Sequence, residues 1–210
     1  MLSSDYWFLR ANAKHENGNY QEAIVEYTKA IRLKADFASA YYNRGFAKNH
    51  LNDHEGAIAD FTKTIELKPR SADAYINRGN AKSQVKDLDG AIADYTRAIE
   101  LEPESADAFV NRGNAKARLQ DYHGAIADYT KVVDMLPDEV LAYVSGGQHK
   151  SDTKKDKEVL AFHSKPIRLK KHFASVCFNR GFAGNVIEDL QKGSDEYIDT
   201  TKLFPDYAVA

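Results

Sequence analysis

Cysteine is almost absent from this chain: Cys177 is the only one in 210 residues. No internal disulfide can form, which fits a reducing compartment and makes a cytoplasmic location the expectation. Long apolar runs are missing too. No stretch approaches the roughly 18 residues that a membrane-spanning helix needs, and the first residues, MLSSDYWFLRANAKHE, lack a basic segment followed by an apolar one, so no signal peptide is expected. Charge of one sign is also lacking. With 29 Lys and Arg against 31 Asp and Glu, the net charge is −2, a mixed surface that argues against nucleic acid or a membrane surface as partner.

Catalytic patterns are equally scarce. The histidines, at 15, 50, 54, 123, 149, 163 and 172, show no H-E-x-x-H or comparable metal spacing. No serine lies in a G-x-S-x-G setting, and Gly146-Gly147 is not followed by a phosphate-loop pattern. No cofactor or metal is expected. Carboxylates are plentiful, but Asp60, Asp94 and Asp128 recur at a fixed interval. A residue repeated in that way serves architecture or an extended groove, whereas catalysis needs one convergent set. The chain reads as a non-enzyme.

Proline is sparse, five in all, yet Pro69, Pro103 and Pro137 are 34 residues apart. They close three copies of one unit: YYNRGFAKNHLNDHEGAIADFTKTIELKP (41–69), YINRGNAKSQVKDLDGAIADYTRAIELEP (75–103) and FVNRGNAKARLQDYHGAIADYTKVVDMLP (109–137). One period earlier, residues 7–35 repeat the pattern, with Leu9-Arg10-Ala11 in place of Asn-Arg-Gly. A period of this size marks a solenoid. Each copy reads as two amphipathic helices around a short polar break such as Val85-Lys86-Asp87-Leu88. The first helix carries a large aromatic (Trp7, Tyr41, Tyr75, Phe109) and, four residues on, Ala11, Gly45, Gly79 or Gly113. A mid-helix glycine costs about 1 kcal/mol against alanine, so its recurrence predicts a neighbouring helix too close for a side chain. The second helix pairs a small residue (Ala23, Ala57, Ala91, Ala125) with an aromatic (Tyr27, Phe61, Tyr95, Tyr129) on one face, and proline stops it.

This order of aromatic, glycine, alanine, aromatic and proline at period 34 resembles the tetratricopeptide repeat (TPR) family. The resemblance is close over residues 4–139 and traceable to the C-terminus. It implies an all-α, right-handed superhelical solenoid of about six helix-turn-helix repeats forming one domain over residues 1–210. The regular units are 4–37, 38–71, 72–105 and 106–139, and in the first the helices are expected near 4–17 and 20–34.

The last two units, 140–173 and 174–207, are degenerate. In the fifth, Val159, His163 and Pro166 replace the small residue, the aromatic and a helical alanine. Residues 165–183 nonetheless mirror 29–47, four periods apart, so the fifth unit reads as a worn copy in register. In the sixth, Cys177 stands at the large aromatic and Gly193 at the small alanine. No polar capping helix follows, so self-association through the C-terminal repeats is the second reading of the chain.

The informative polar residue is asparagine, which precedes Arg-Gly at Asn43, Asn77, Asn111 and Asn179. The resemblance implies that first helices line a concave surface and that this site faces into it. Helical spacing puts Asp73, Asn77, Asn80 and Gln84 in one polar stripe and Asp107, Asn111, Asn114 and Arg118 in the next, flanked by Phe8, Tyr42, Ile76 and Val110. An amide offers both donor and acceptor to an extended peptide. Such a ladder, with Asn12 in the first repeat, would hold a protein or peptide partner. The duller alternative is that each asparagine bonds the neighbouring helix.

The family's clamp for the C-terminal carboxylate of heat-shock chaperones also resembles this chain at Asn12 and Asn43. There, however, Phe8, Asp73 and Asn77 replace the family's cationic members, and a carboxylate gains most from charged donors. The clamp is rejected. Arg10, Arg44, Arg78, Arg112 and Arg180 form a further periodic series. These are expected to make surface ion pairs with the periodic aspartates between stacked helices, each worth about 0–1 kcal/mol. The functional reading is an interaction scaffold, with a targeting or adaptor subunit of an enzyme or chaperone complex as a further alternative.

Overall fold

The computed structural model describes residues 2–135 together with Asn179 and Ala183. Between residues 2 and 135 the chain forms eight helices and no strand: α1 Ser4–Glu16, α2 Tyr20–Leu33, α3 Ala38–His50, α4 His54–Leu67, α5 Ala72–Gln84, α6 Leu88–Leu101, α7 Ala106–Arg118 and α8 Tyr122–Asp134. The all-α class and the helix bounds expected for the first repeat are thus met within a residue. Pro137 and the degenerate units 140–173 and 174–207, apart from Asn179 and Ala183, lie outside the described residues. The chain divides into two compact units, residues 1–111 and 112–210.

In the first unit, α1 packs on α2, α3 on α4 and α5 on α6. Second helices also pack on the next first helix (α2 on α3, α4 on α5), and the first helices α1, α3 and α5 touch in succession. The break inside each pair has a defined chemistry. One residue adopts the left-handed region (Gly18 at φ 76°, Asn52 at 61°, Lys86 at 68°), which reverses the chain. The following residue caps the next helix: Asp53 and Asp87 each accept a hydrogen bond from the backbone N–H three residues on, at Gly56 and Gly90, at 3.0 Å.

Helix ends follow one pattern as well. Lys68 and Glu102 turn out of the helical region, at φ −136°, ψ 79° and φ −134°, ψ 86°, as the residue before a proline is driven to do. Lys34 does the same although Ala35 follows it. The helix thus stops at the same register with or without the proline.

The core explains the glycines. A Cβ built on Gly79 would stand 2.7 Å from Cε1 of Tyr95, and one on Gly45 3.1 Å from Cε1 of Phe61. The aromatic ring of the second helix lies directly on the glycine of the first, in the same repeat. Tyr27, Phe61 and Tyr95 are at most 2% exposed, surrounded by Ala23, Ala30, Ala57, Ala91 and Ala98, none of which is exposed. In the first repeat the ring sits on Ala11, also fully buried. The second unit repeats the motif, with Gly113 placing a would-be Cβ 2.6 Å from Tyr129 Cε1.

The arginine–aspartate pairs exist, but the expectation that they lie on the surface between stacked helices is corrected. Asp60 and Asp94 are buried, 3% and 4% exposed, and their partners come from the first helix of the same repeat. Arg44 donates through Nε and Nη2 to the two oxygens of Asp60 at 2.8 and 2.6 Å; Arg78 does so to Asp94 at the same distances. Lys48 and Lys82 join the same carboxylates at 2.8 and 2.9 Å. The contact that crosses repeats is the third guanidinium nitrogen, which donates to a threonine of the preceding second helix: Arg44 to Thr28 at 3.0 Å and Arg78 to Thr62 at 3.1 Å. In the second unit Arg112 and Lys116 hold Asp128 likewise.

Candidate functional site: the face of the first helices

In the first unit the side chains named from the sequence fall on one series of helices, α1, α3, α5 and the start of α7. Most of the asparagines cross-bond. Asn12 Oδ1 accepts from the Tyr27 hydroxyl at 2.8 Å and from Asn43 Nδ2, one repeat on, at 2.9 Å. Asn80 Oδ1 accepts from Tyr95 at 2.8 Å and from Asn111 Nδ2 at 3.1 Å. A buried tyrosine of one repeat and an asparagine of the next thus share one amide oxygen. These bonds are the ones the duller alternative described, and they consume acceptors while the Nδ2 groups of Asn12 and Asn80 find no acceptor among the described residues.

Asn77 is different. Its register calls for a partner at position 46, where Phe46 stands, and the ring beneath is Phe61 rather than a tyrosine. Asn77 Nδ2 therefore donates to the Tyr42 hydroxyl at 2.9 Å and to the Asp73 backbone carbonyl at 2.8 Å. The carbonyl accepts only, which fixes the amide orientation, and both N–H groups are used. In α1 the matching position holds Leu9, 66% exposed.

The apolar wall is partly realised. Phe8 is half-buried against Phe37 and Tyr27, with ring centroids 4.7 and 5.9 Å apart. Tyr42 packs edge-on to Phe61 at 5.7 Å, Ile76 is half-buried and Val110 is buried. Burial, and secondly the charge of Asp73, push the Tyr42 phenol up from its ordinary value. Asp73 and Asp107 are exposed at the start of their helices. The cations of α3 and α5 point elsewhere, into the buried carboxylates of α4 and α6.

Sequence reasoning passed over a second cluster at the end of these helices. His15 Nδ1 lies 3.2 Å from the Tyr27 hydroxyl, and its ring packs on Tyr20 and Phe46. Tyr20 in turn stacks on His50 at 4.7 Å and an interplanar angle of 7°. Burial, then His50, lower the His15 pKa, with Glu16 opposing. Tyr27 is pushed up to about 12, chiefly by burial. The signal was available in the aromatic spacing, but histidine does not fit a binary apolar pattern.

In the second unit Tyr129 donates to Asn114 Oδ1 at 2.7 Å, and Asn179 Nδ2 donates to the same oxygen at 3.1 Å. The pattern matches that at Asn12 and Asn80. The interval from Asn114 to Asn179 is 65 residues, against 31 between Asn12 and Asn43, which is one whole period longer. Ala183 is fully buried, like Ala47 and Ala81 in its register.

Among the described residues no group of three or more His, Cys, Asp or Glu side chains is placed to hold a metal ion, and no helix is long and apolar enough to cross a membrane.

No curated protein sequence matches the chain. Among solved structures, a MamA protein superposes over 98% of this chain and 93% of its own, with a TM-score of 0.76 at 17% identity. YrrB, described as a TPR protein with an unusual peptide-binding site, covers 97% of this chain and 87% of its own, with a TM-score of 0.72 and 17% identity. The first TPR of Spaghetti (RPAP3), bound to the HSP90 peptide SRMEEVD, covers 56% of this chain and 93% of its own at 27% identity and a TM-score of 0.55. The TPR repeat profile matches residues 11–49, and the tetratricopeptide repeat profiles match 38–71, 72–105 and 106–139. With its glycine-on-aromatic helix pairs and these matches over residues 11–139, the chain belongs to the tetratricopeptide repeat family.

Proposed function

We propose that the protein is a non-enzymatic interaction scaffold that holds an extended peptide, or one helix of a partner, along the face of its first helices. The observation that carries this reading is the half-used amides. Asn12 and Asn80 give their oxygens to Tyr27 with Asn43 and to Tyr95 with Asn111, which orients their N–H groups, while Asn77 has spent its N–H groups and keeps an acceptor. A run of fixed donors and acceptors complements the C=O and N–H groups of a backbone without reading its side chains. Phe8 and Tyr42 supply apolar selectivity beside it. The YrrB and Spaghetti structures support peptide binding as a use of this fold.

The test must spare the bonds between repeats. Replacing Asn43, Asn77 and Asn111 by alanine would cut them along with any peptide contact. The double variant Asn12→Asp, Asn80→Asp keeps both acceptor oxygens and replaces each free NH2 group by a charged oxygen, so the donors are lost while the bonds between repeats are spared. With far-UV circular dichroism unchanged, it is expected to bind uncharged peptides selected on the parent protein about tenfold more weakly, the loss of one or two hydrogen bonds. Equal affinity for parent and variant would defeat the proposal.

A further inference from the structure

We propose that α1 pairs with α1 of a second copy of this chain, the two helices lying parallel along a seam of Leu2, Tyr6, Leu9 and Ala13. The inference stands apart from the peptide reading, since Phe8 and Asn12, which that reading uses, are not in the seam.

The seam is the face by which later first helices pack on the repeat before them. In α3 and α7 that face is built for close approach. Ala40 shares a cluster with Ala30 of the preceding second helix, and Ala108 with Ala98, all four fully buried. Asn43 and Asn111 donate across the same boundaries to Asn12 and Asn80.

α1 departs at both positions. Tyr6 stands at the register of Ala40 and Leu9 at that of Asn43, and both are exposed. Tyrosine blocks the alanine-on-alanine approach and leucine offers no hydrogen bond, so a further repeat of this kind does not fit there. The face is not a solvated one either. Of the seven large apolar side chains exposed among the described residues, three belong to it: Leu2, Tyr6 and Leu9. With Trp7 and Ala11 turned toward the core, α1 is apolar on two faces, as a helix covered from both sides would be.

The spacing identifies the occupant. Tyr6, Leu9 and Ala13, with Leu2 four residues before Tyr6, hold the a and d positions of a short heptad. In that register Asp5 precedes a and Arg10 follows d, the g and e positions on opposite flanks of the seam. When parallel helices pair, g of one lies against e of the other. Asp5 of each copy therefore meets Arg10 of the other, and both pairs form at once about the two-fold axis. Opposite charges on its two flanks make this helix complementary to itself.

Arg10 can turn to such a partner. It stands 3.7 Å from Glu26, whereas Arg44 and Arg78 lie 2.6 Å from their aspartates. Lys29 approaches the same Glu26 oxygen to 3.6 Å, so the buried carboxylate keeps a cation when Arg10 moves. Asp5 is exposed at the start of α1.

Sedimentation equilibrium of the full chain over about 1–200 µM tests the proposal. The parent is expected to form dimers with a dissociation constant of tens of micromolar, roughly what a small interface gives. Leu9→Glu puts a charge in the seam, and Asp5→Arg sets arginine against arginine. Each should weaken association at least about tenfold with circular dichroism unchanged. Arg10→Asp sets aspartate against aspartate and should do the same. An equimolar mixture of Asp5→Arg and Arg10→Asp restores both pairs, so mixed dimers should form about as tightly as the parent's. A parent that stays monomeric throughout, or association that Leu9→Glu or Asp5→Arg leaves unchanged, overturns the inference. So does a mixture of folded reversed chains that forms no mixed dimer. Leu9→Glu and Asp5→Arg alter exposed side chains only, and they decide the matter even where Arg10→Asp unfolds the first repeat.

Discussion

A methyl group on Gly79 would meet the Tyr95 ring at 2.7 Å, while one on Gly45 would meet Phe61 at 3.1 Å. Four-tenths of an ångström decides the sign of a substitution here. Alanine in mid-helix gains about 1 kcal/mol over glycine, and overpacking costs about 1–3 kcal/mol. Gly45→Ala is therefore expected to be near neutral, because a ring edge yields a few tenths of an ångström. Gly79→Ala should lower stability by about 1–2 kcal/mol, read as a lower urea midpoint. His15 gives a second prediction at this scale. Its pKa lies below the usual 6.5, from burial and from His50, so the folded protein takes up its proton later than the unfolded chain. The stabilisation is complete above that value and is lost as pH falls through the folded-state pKa. The urea midpoint should drop on acidification below about pH 6.5, and His15→Phe, which keeps the ring contacts with Tyr20 and Phe46, should flatten that slope.

At the scale of the helix pair, two devices join one helix to the next. The turn between α5 and α6 places Lys86 in the left-handed region at φ 68° and caps α6 with Asp87. Loss of the cap in Asp87→Ala is expected to cost about 1 kcal/mol. The pair Arg78–Asp94 is the stronger device. Asp94 is 4% exposed and holds Arg78 in two hydrogen bonds with Lys82 beside it. Asp94→Ala leaves Arg78 and Lys82, both largely shielded from solvent, without their counter-ion, at a cost of about 3–5 kcal/mol. The first repeat shows the same site incomplete: Glu26 replaces aspartate, its Oε2 has no partner, and Arg10 approaches only to 3.7 Å. Glu26→Gln should accordingly change stability by less than about 1 kcal/mol. Thermal unfolding of the two variants side by side distinguishes these costs.

Across the array, stability is the sum of repeat terms and nearest-neighbour terms, and the hydrogen bonds identify the neighbour terms. In residues 1–111 the first two boundaries each carry an arginine-to-threonine bond, Arg44 to Thr28 and Arg78 to Thr62. The boundary between the first two repeats adds the Tyr27–Asn12–Asn43 relay, and Asn80 serves Tyr95 and Asn111 in the same way. Asn80→Ala removes the acceptor of two donors, one of them on a buried tyrosine, and should cost about 1–3 kcal/mol, measured by urea denaturation. Phe46→Ala at the same register breaks no hydrogen bond and should cost only through lost packing against His15 and His50.

The period of 34 by itself determined a great deal. The succession of helix pairs, the bounds of the first pair, the polar breaks and the glycine contacts were all legible, because each is a local pattern repeated until chance is excluded. The periodic threonines at 28, 62 and 96 were equally visible in the sequence, yet nothing local says that an arginine 16 residues further on reaches back to them. The aspartates were read as surface residues because a charge periodic along a helix usually faces water; only packing of α3 on α4 and α5 on α6 turns them inward. Asparagine was the ambiguous case. An amide can serve a neighbour or a ligand, and composition cannot divide its four hydrogen-bonding positions between the two. Tertiary structure made that division: it gave the oxygens of Asn12 and Asn80 to the next repeat and turned Asn77 the other way. Sequence periodicity settles which residues share a helix face. Which of their atoms remain unused depends on distances between helices, and those exist only once the repeats have stacked.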